Sequence, residues 1–124
     1  MRKNLSKLCI DAQYDRLRRV LIMSQPPEWL DETDMVNFEV KHSSLLEPLN
    51  DEQKKAVVKT FCCRDYQMVI GVPGSGKLWT QVHMLRVVKA LGHKVCLFGV
   101  NQNVLDKLLI TLLDFEEKTN VPAD

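Results

Sequence analysis

No apolar stretch in this sequence approaches the roughly 18 residues that a membrane span needs, because charges or turn residues interrupt every run first. The opening residues, MRKNLSKLCIDAQ, lack the uninterrupted apolar centre of a signal peptide. Together these absences point to an intracellular protein without a membrane partner. The 4 cysteines, Cys9, Cys62, Cys63 and Cys96, contain no C-x-x-C pair, which removes the usual signals for a zinc site or a thioredoxin-like motif. Buried thiols in a reducing compartment are the expectation. The net charge of +1 is too small to announce a nucleic-acid partner. No repeat and no low-complexity tract interrupts the chain, so a repeat architecture is excluded.

What remains is an ordinary globular composition: 124 residues, 45% hydrophobic and 27% charged, enough for one small domain. The charge is unevenly placed. Residues 1–22 carry six basic side chains (Arg2, Lys3, Lys7, Arg16, Arg18, Arg19) against Asp11 and Asp15, whereas residues 28–52 carry eight acidic side chains against Lys41 alone. A basic arm of this kind suits phosphates; with no aromatic platform beside it, a solvated helix face is the simpler reading.

Apolar residues at Leu5, Leu8, Ala12, Leu17, Val20 and Leu21 predict a basic N-terminal helix within 1–22, ended by Pro26 and Pro27. Residues 23–48 read as a connector, and 49–124 as the main body. In LNDEQKKAVVKTF, Asn50 is a candidate N-cap, Asp51 and Glu52 lie in the first turn, and Gln53 completes a capping box, which predicts a helix over about 51–62. YQMVIGV and KVCLFGV are short apolar runs of the kind found in strands buried on both faces. Between them KLWTQVHMLRVVKAL reads as a helix stopped by Gly92, and NVLDKLLITLLDFEEK reads as a further helix with Asn103 as candidate N-cap. Helix, strand, helix, strand, helix implies parallel strands in an α/β domain.

The segment GVPGSGKLWT gives that order its meaning. A G-x-x-x-x-G-K pattern counts when a strand precedes it and a helix follows, and both are expected here. Gly71, Gly74 and Gly76 would let successive backbone N–H groups turn around a polyphosphate at the positive end of the following helix, with Lys77 on the terminal phosphates. Leu78 stands where a hydroxyl would coordinate Mg²⁺. Water can fill a vacant Mg²⁺ position, so nucleotide binding is easier to retain than hydrolysis. Thr80 lies roughly 200° around the helix from position 78 and should not substitute. Trp79 is bulky for a first helical turn.

LNDEQKKAV, DYQMVIGVPGSGK and VLDKLL, in that order, resemble the start of the helicase part of the DNA replication ATP-dependent helicase/nuclease family, within superfamily 1 helicases; the likeness covers about residues 45–118. RLRRVLI is faintly similar to the segment that precedes that part. The resemblance implies a partial RecA-like phosphate-loop fold and a nuclear ATP-dependent DNA helicase, a hydrolase of DNA replication and repair. It maps adenine recognition onto Gln53, and phosphate binding onto Gly71, Val72, Pro73, Gly74, Ser75, Gly76 and Lys77. It maps contact with single-stranded DNA onto Asn101, Gln102, Asn103 and Asp106. The residues also have plainer readings, since Gln53 caps its own helix and Asn103 with Asp106 cap theirs.

Departures from the family pattern shape the functional expectation. Leu78 and Trp79 replace hydroxyl residues, and GVNQNVLDK lacks the threonine and small residues of the DNA-contacting motif. No acidic metal-binding motif, sensor, arginine finger or second motor domain appears by Asp124, and the cysteines do not have iron–sulfur spacing. ATP with weakened Mg²⁺ coordination, no metal site and no catalytic residue are therefore expected, in a fragment or degenerate copy without independent turnover. The alternative is an inert module that docks on DNA or on a full-length helicase. In the implied sheet the two strands are separated by others not read here, so rearranged pairing, marginal stability or a completing partner chain is expected.

Overall fold

The computed structural model describes residues 2–120; the last four residues of the main body read above, 121–124, lie outside it, as does Met1. The chain folds as seven helices: α1 (Arg2–Ile10), α2 (Asp15–Leu21), α3 (Glu32–Lys41), α4 (Ser43–Leu46), α5 (Asp51–Phe61), α6 (Lys77–Ala90) and α7 (Gln102–Asn120), with a 3-10 turn at Ala12–Tyr14. The expected single N-terminal helix is two pieces. Asp11 breaks it by taking an extended conformation and accepting the Gln13 N–H on its side chain, the local competition that makes aspartate a cap rather than an interior helix residue.

Within the 23–48 connector, α3 starts after Asp31 with Glu32 and Asp34 in its first turn, where acidic groups suit the helix dipole. α5 begins with the predicted capping box in full: Asn50 Oδ1 accepts the Gln53 N–H at 2.9 Å, and Gln53 Oε1 accepts the Asn50 N–H at 3.2 Å. The core lies where α3, α4, α5 and α6 meet. Leu46, Leu49, Val57, Val58, Cys62 and Val87 are buried there, flanked by Phe38, Phe61, Trp79 and Met84. Fully burying a valine or leucine contributes on the order of 2 kcal/mol, so this cluster holds the helices together. α7 packs on α6 beyond it.

The α/β expectation is overturned. Among the described residues there is no strand ladder, and so no parallel sheet and no RecA-like phosphate-loop fold; the only β-type pairing is an isolated antiparallel bridge between Trp29 and Cys63. YQMVIGV runs without helix, turn or bend over 66–72, and KVCLFGV does so over 94–99 before a bend at Val100, with no positive φ in either. Apolar, β-branched composition favours an extended backbone, but a strand exists only when another strand accepts its hydrogen bonds. No such neighbour adjoins either run among the described residues. Their side chains are consequently open to solvent, with Ile70 90% and Phe98 91% exposed. The cysteine expectation is corrected in part: Cys62 is buried, whereas Cys9 and Cys96 are exposed.

Candidate phosphate-binding loop

The G-x-x-x-x-G-K segment forms a turn at the N-terminus of α6, between the unpaired 66–72 run and the helix. Gly74 (φ 81°) and Gly76 (φ 78°) occupy the left-handed region, which side chains rarely adopt without strain. Gly76 is the helix N-cap, and the Ser75 N–H donates to Val72 O at 3.2 Å to close the turn. Val72, Pro73, Gly74 and Ser75 are exposed, while Gly71 and Gly76 are half-buried.

Lys77 reaches back into this turn. Its ammonium donates to Gly71 O at 2.7 Å and to Val72 O at 3.1 Å, so loop carbonyls occupy two of its three donors. A side chain at Gly71 would collide with Ser75 Oγ at 2.6 Å and with the Lys77 stem at 2.9 Å. Gln53 joins the loop from α5, its Nε2 donating to Ser75 O at 3.2 Å while its Oε1 completes the capping box. The fold thus brings together Gln53 and the loop it was expected to serve.

These donors suit an anion. Lys77 and a helix N-terminus offer positive charge and unpaired N–H groups. For Mg²⁺ the fit is poor: Leu78 supplies no ligand atom, and Thr80 is buried with its hydroxyl donated to Gly76 O at 3.0 Å. Among the described residues no group of three His, Cys, Asp or Glu side chains could hold a metal ion.

Trp79 resolves inward. Its ring meets His83 (centroids 4.7 Å) and Phe115 of α7 (5.3 Å), and its Nε1 donates to Pro48 O at 3.4 Å. Arg86 lies over Phe115, 4.4 Å from the ring centre, a cation–π contact that adds to the packing. The fully buried His83 ring sits at the centre of this group. Its Nδ1 lies 3.1 Å from Leu45 O and 3.0 Å from the Arg86 guanidinium. A carbonyl can only accept and a guanidinium can only donate, so the two contacts ask opposite roles of Nδ1 and only one of them is a hydrogen bond in a given tautomer, while buried Nε2 has no hydrogen-bond partner. Burial, and secondarily the nearby Arg86 charge, pushes the imidazole pKa below its ordinary value. Spacing on α6 would have paired Trp79 with His83; nothing local in the sequence announced Phe115 as their partner.

Asn101, Gln102, Asn103 and Asp106 are exposed at the start of α7. Asn101 Oδ1 accepts the Val104 N–H at 3.1 Å, so the cap is Asn101 rather than the expected Asn103. Gln102 Nε2 donates to Asp106 Oδ1 at 2.9 Å. These bonds remain within the helix start and do not reach the loop.

Three of the arm's six basic side chains are paired within the chain. Arg16 forks onto Asp65 (2.6 and 3.1 Å) and also reaches Glu28. Arg18 and Arg19 both bond to Asp15, and Arg18 also donates to Cys9 O at 2.7 Å. No helix among the described residues is long and apolar enough to cross a membrane.

No protein-family model matches this sequence, and no solved structure matches it. Curated proteins do. DNA replication ATP-dependent helicase/nuclease DNA2 of Gallus gallus is 31% identical over 118 residues, which is 92% of this chain and 12% of that protein. The corresponding protein of Homo sapiens is 28% identical over 117 residues, 91% of this chain and 11% of its own length. DNA replication ATP-dependent helicase/nuclease JHS1 of Arabidopsis thaliana is 27% identical over 117 residues, covering 90% of this chain and 8% of its own. Over nine-tenths of its length, then, this chain is a homologue of the DNA replication ATP-dependent helicase/nuclease proteins, matched along about a tenth of theirs.

Proposed function

We propose that this chain is a fragment or degenerate copy of the nucleotide-binding start of a replication helicase/nuclease. In this reading it holds the phosphates of ATP on the 71–77 loop, coordinates Mg²⁺ poorly and does not turn ATP over by itself. The observation that carries the reading is Lys77. Its ammonium lies inside the loop on Gly71 O and Val72 O, where an incoming phosphate would exchange two neutral acceptors for a charged one and make stronger, charge-assisted bonds. Gln53, bonded to Ser75 O, would hold the loop in place and present its remaining amide hydrogen and lone pair to a base. Leu78 accounts for the weak metal coordination. A nuclear location and a role beside DNA replication and repair belong to the same reading, through the homologues.

Contact with single-stranded DNA at Asn101, Gln102, Asn103 and Asp106 would have to displace the bonds among the first, second and fourth of these residues and α7. Docking on DNA through the N-terminal arm is disfavoured, because Arg16, Arg18 and Arg19 are already paired with Asp65, Glu28 and Asp15.

The test is titration of a fluorescent ATP analogue into the purified chain, with and without Mg²⁺. Binding that does not need Mg²⁺, disappears in Lys77→Ala and becomes Mg²⁺-dependent in Leu78→Thr supports the reading. A folded chain that ignores the analogue in all three forms refutes it.

A further inference from the structure

Three helices meet at the buried His83 ring. It stands on α6, its Nδ1 lies 3.1 Å from the Leu45 carbonyl of α4, and Phe115 of α7 meets it edge to face with ring centres 5.3 Å apart. Arg86, one turn along α6, reaches the same Nδ1 at 3.0 Å and also lies 4.4 Å from the centre of the Phe115 ring. The guanidinium is thus held between a ring nitrogen and an aromatic face. This arrangement suits only the neutral imidazole. A protonated ring carries N–H at both nitrogens; Nε2 has no partner to receive one, and at Nδ1 two donors and two positive charges would stand 3.0 Å apart, where burial strengthens their repulsion. No neighbour offsets it. Leu45 presents a neutral carbonyl, and Glu116 of α7, the carboxylate whose charge acts on Arg86, is engaged through both oxygens by Lys89 at 2.8 and 3.0 Å.

We propose that His83 is a proton-operated latch for α7: uptake of a proton by its ring drives Arg86 off Phe115 and frees α7 from α6. The element that yields is α7 because it is held least. The buried cluster that joins α3, α4, α5 and α6 includes Leu46 of α4 but no residue of α7, whose one buried apolar side chain among the described residues is Leu108. The Lys89–Glu116 pair at its rim involves a mostly exposed lysine and contributes little. Once undocked, the 19-residue helix loses the packing from which helices in proteins draw most of their stability. The sign follows from the depressed imidazole pKa. The docked state resists the proton and the undocked state takes it up, so docking is complete above about pH 6.5 and weakens as pH falls below it. This inference stands apart from the nucleotide reading, because it uses neither Lys77 nor Gln53.

The experiment is amide hydrogen exchange of the whole chain from about pH 7.5 to about pH 5, expressed as protection relative to an unstructured chain at each pH, with the His83 ring followed by NMR. Protection of the α7 amides should fall by up to about tenfold per pH unit below 6.5, in step with titration of the ring, while the α5 amides keep theirs. His83→Leu carries no proton and should keep α7 protected across the range. Arg86→Met leaves His83 in place and removes the second charge, so it should weaken docking at every pH and make the dependence shallower. Protection of α7 that is unchanged down to pH 5 would overturn the proposal. So would a wild-type slope retained in folded His83→Leu or Arg86→Met, or α5 and α7 losing protection together at one pH.

Discussion

Arg16 and Asp65, 49 residues apart, form a two-pronged ion pair: Arg16 Nε donates to Asp65 Oδ1 at 2.6 Å and a terminal guanidinium nitrogen donates to Oδ2 at 3.1 Å. The Asp65 side chain is only 2% exposed and also accepts the Glu28 N–H at 3.0 Å. Beside it Leu30 N–H donates to Cys62 O and Arg64 N–H to Glu28 O, and Trp29 pairs with Cys63. Through this node the N-terminal helices are fastened to the end of α5. Arg16→Ala should therefore loosen residues 4–22 while leaving α5 and α6 intact. Limited proteolysis should cut first near Ser24, whose φ of 55° is the only positive one at a non-glycine residue among those described. Unchanged cleavage would show that apolar contacts alone hold the arm.

The same node should respond to acid. Arg16, and then the Glu28 N–H, hold the Asp65 carboxyl below its ordinary 3.8. A depressed folded-state value means that this stabilisation is complete above the unfolded pKa and is lost as pH falls through the folded one. The arm should thus remain docked at pH 5 and detach only below the ordinary carboxylate range, and Asp65→Asn should erase that step. Hydrogen exchange of the α2 amides against pH reads it directly.

His83 has the opposite chemistry but the same sign. Its pKa is depressed from 6.5 chiefly by burial and also by Arg86, with the Leu45 carbonyl opposing. The unfolded state takes up the proton first, so stability is complete above about pH 6.5 and declines below it, by at most about 1.4 kcal/mol per pH unit for one proton. His83→Leu should flatten the midpoint of urea unfolding between neutral and mildly acidic pH. If the variant keeps the wild-type slope, some other group carries the proton.

Leu46, 1% exposed at the centre of the core, offers a calibration of packing. Leu46→Ala should cost about 2–5 kcal/mol, a large part of what a domain of this size has. Exposed Val40→Ala should cost far less. Equal losses in denaturant unfolding would mean that the core is not where the buried side chains place it.

Local features were the legible part of this fold. The Asn50–Gln53 capping box, the start of α6 at Lys77 and its end before Gly92 depend on residues within one or two turns, and they appear as read. The break at Asp11 was also local, but regular apolar spacing concealed it. The sheet was misread because YQMVIGV and KVCLFGV have strand composition without strand neighbours, and pairing is a property of two segments. Trp79 against Phe115 and Arg16 against Asp65 were invisible for a related reason: each joins residues whose distance in sequence says nothing of their contact in space. Of the candidate site, the loop and Gln53 do meet, whereas the Asn101–Asp106 group makes its bonds at its own helix start.

The loop itself gives a test that separates backbone strain from contact. Gly74 and Gly76 have nearly the same left-handed φ, 81° and 78°, but a Cβ on Gly74 meets nothing within 4 Å, whereas one on Gly76 would lie 2.6 Å from Gln53 Nε2. Gly74→Ala should cost only the conformational strain of that region, about 1–2 kcal/mol. Gly76→Ala carries the same strain and must also push the Gln53 amide off Ser75 O, so its loss should be larger. The excess should vanish in Gly76→Ala with Gln53→Ala, compared with Gln53→Ala alone, because the colliding atom is then gone. Thermal unfolding of these variants forms a double-mutant cycle whose coupling energy isolates the contact. Equal losses at the two glycines, with no coupling to position 53, would place the Gln53 side chain away from the loop and remove the link between α5 and the candidate phosphate site.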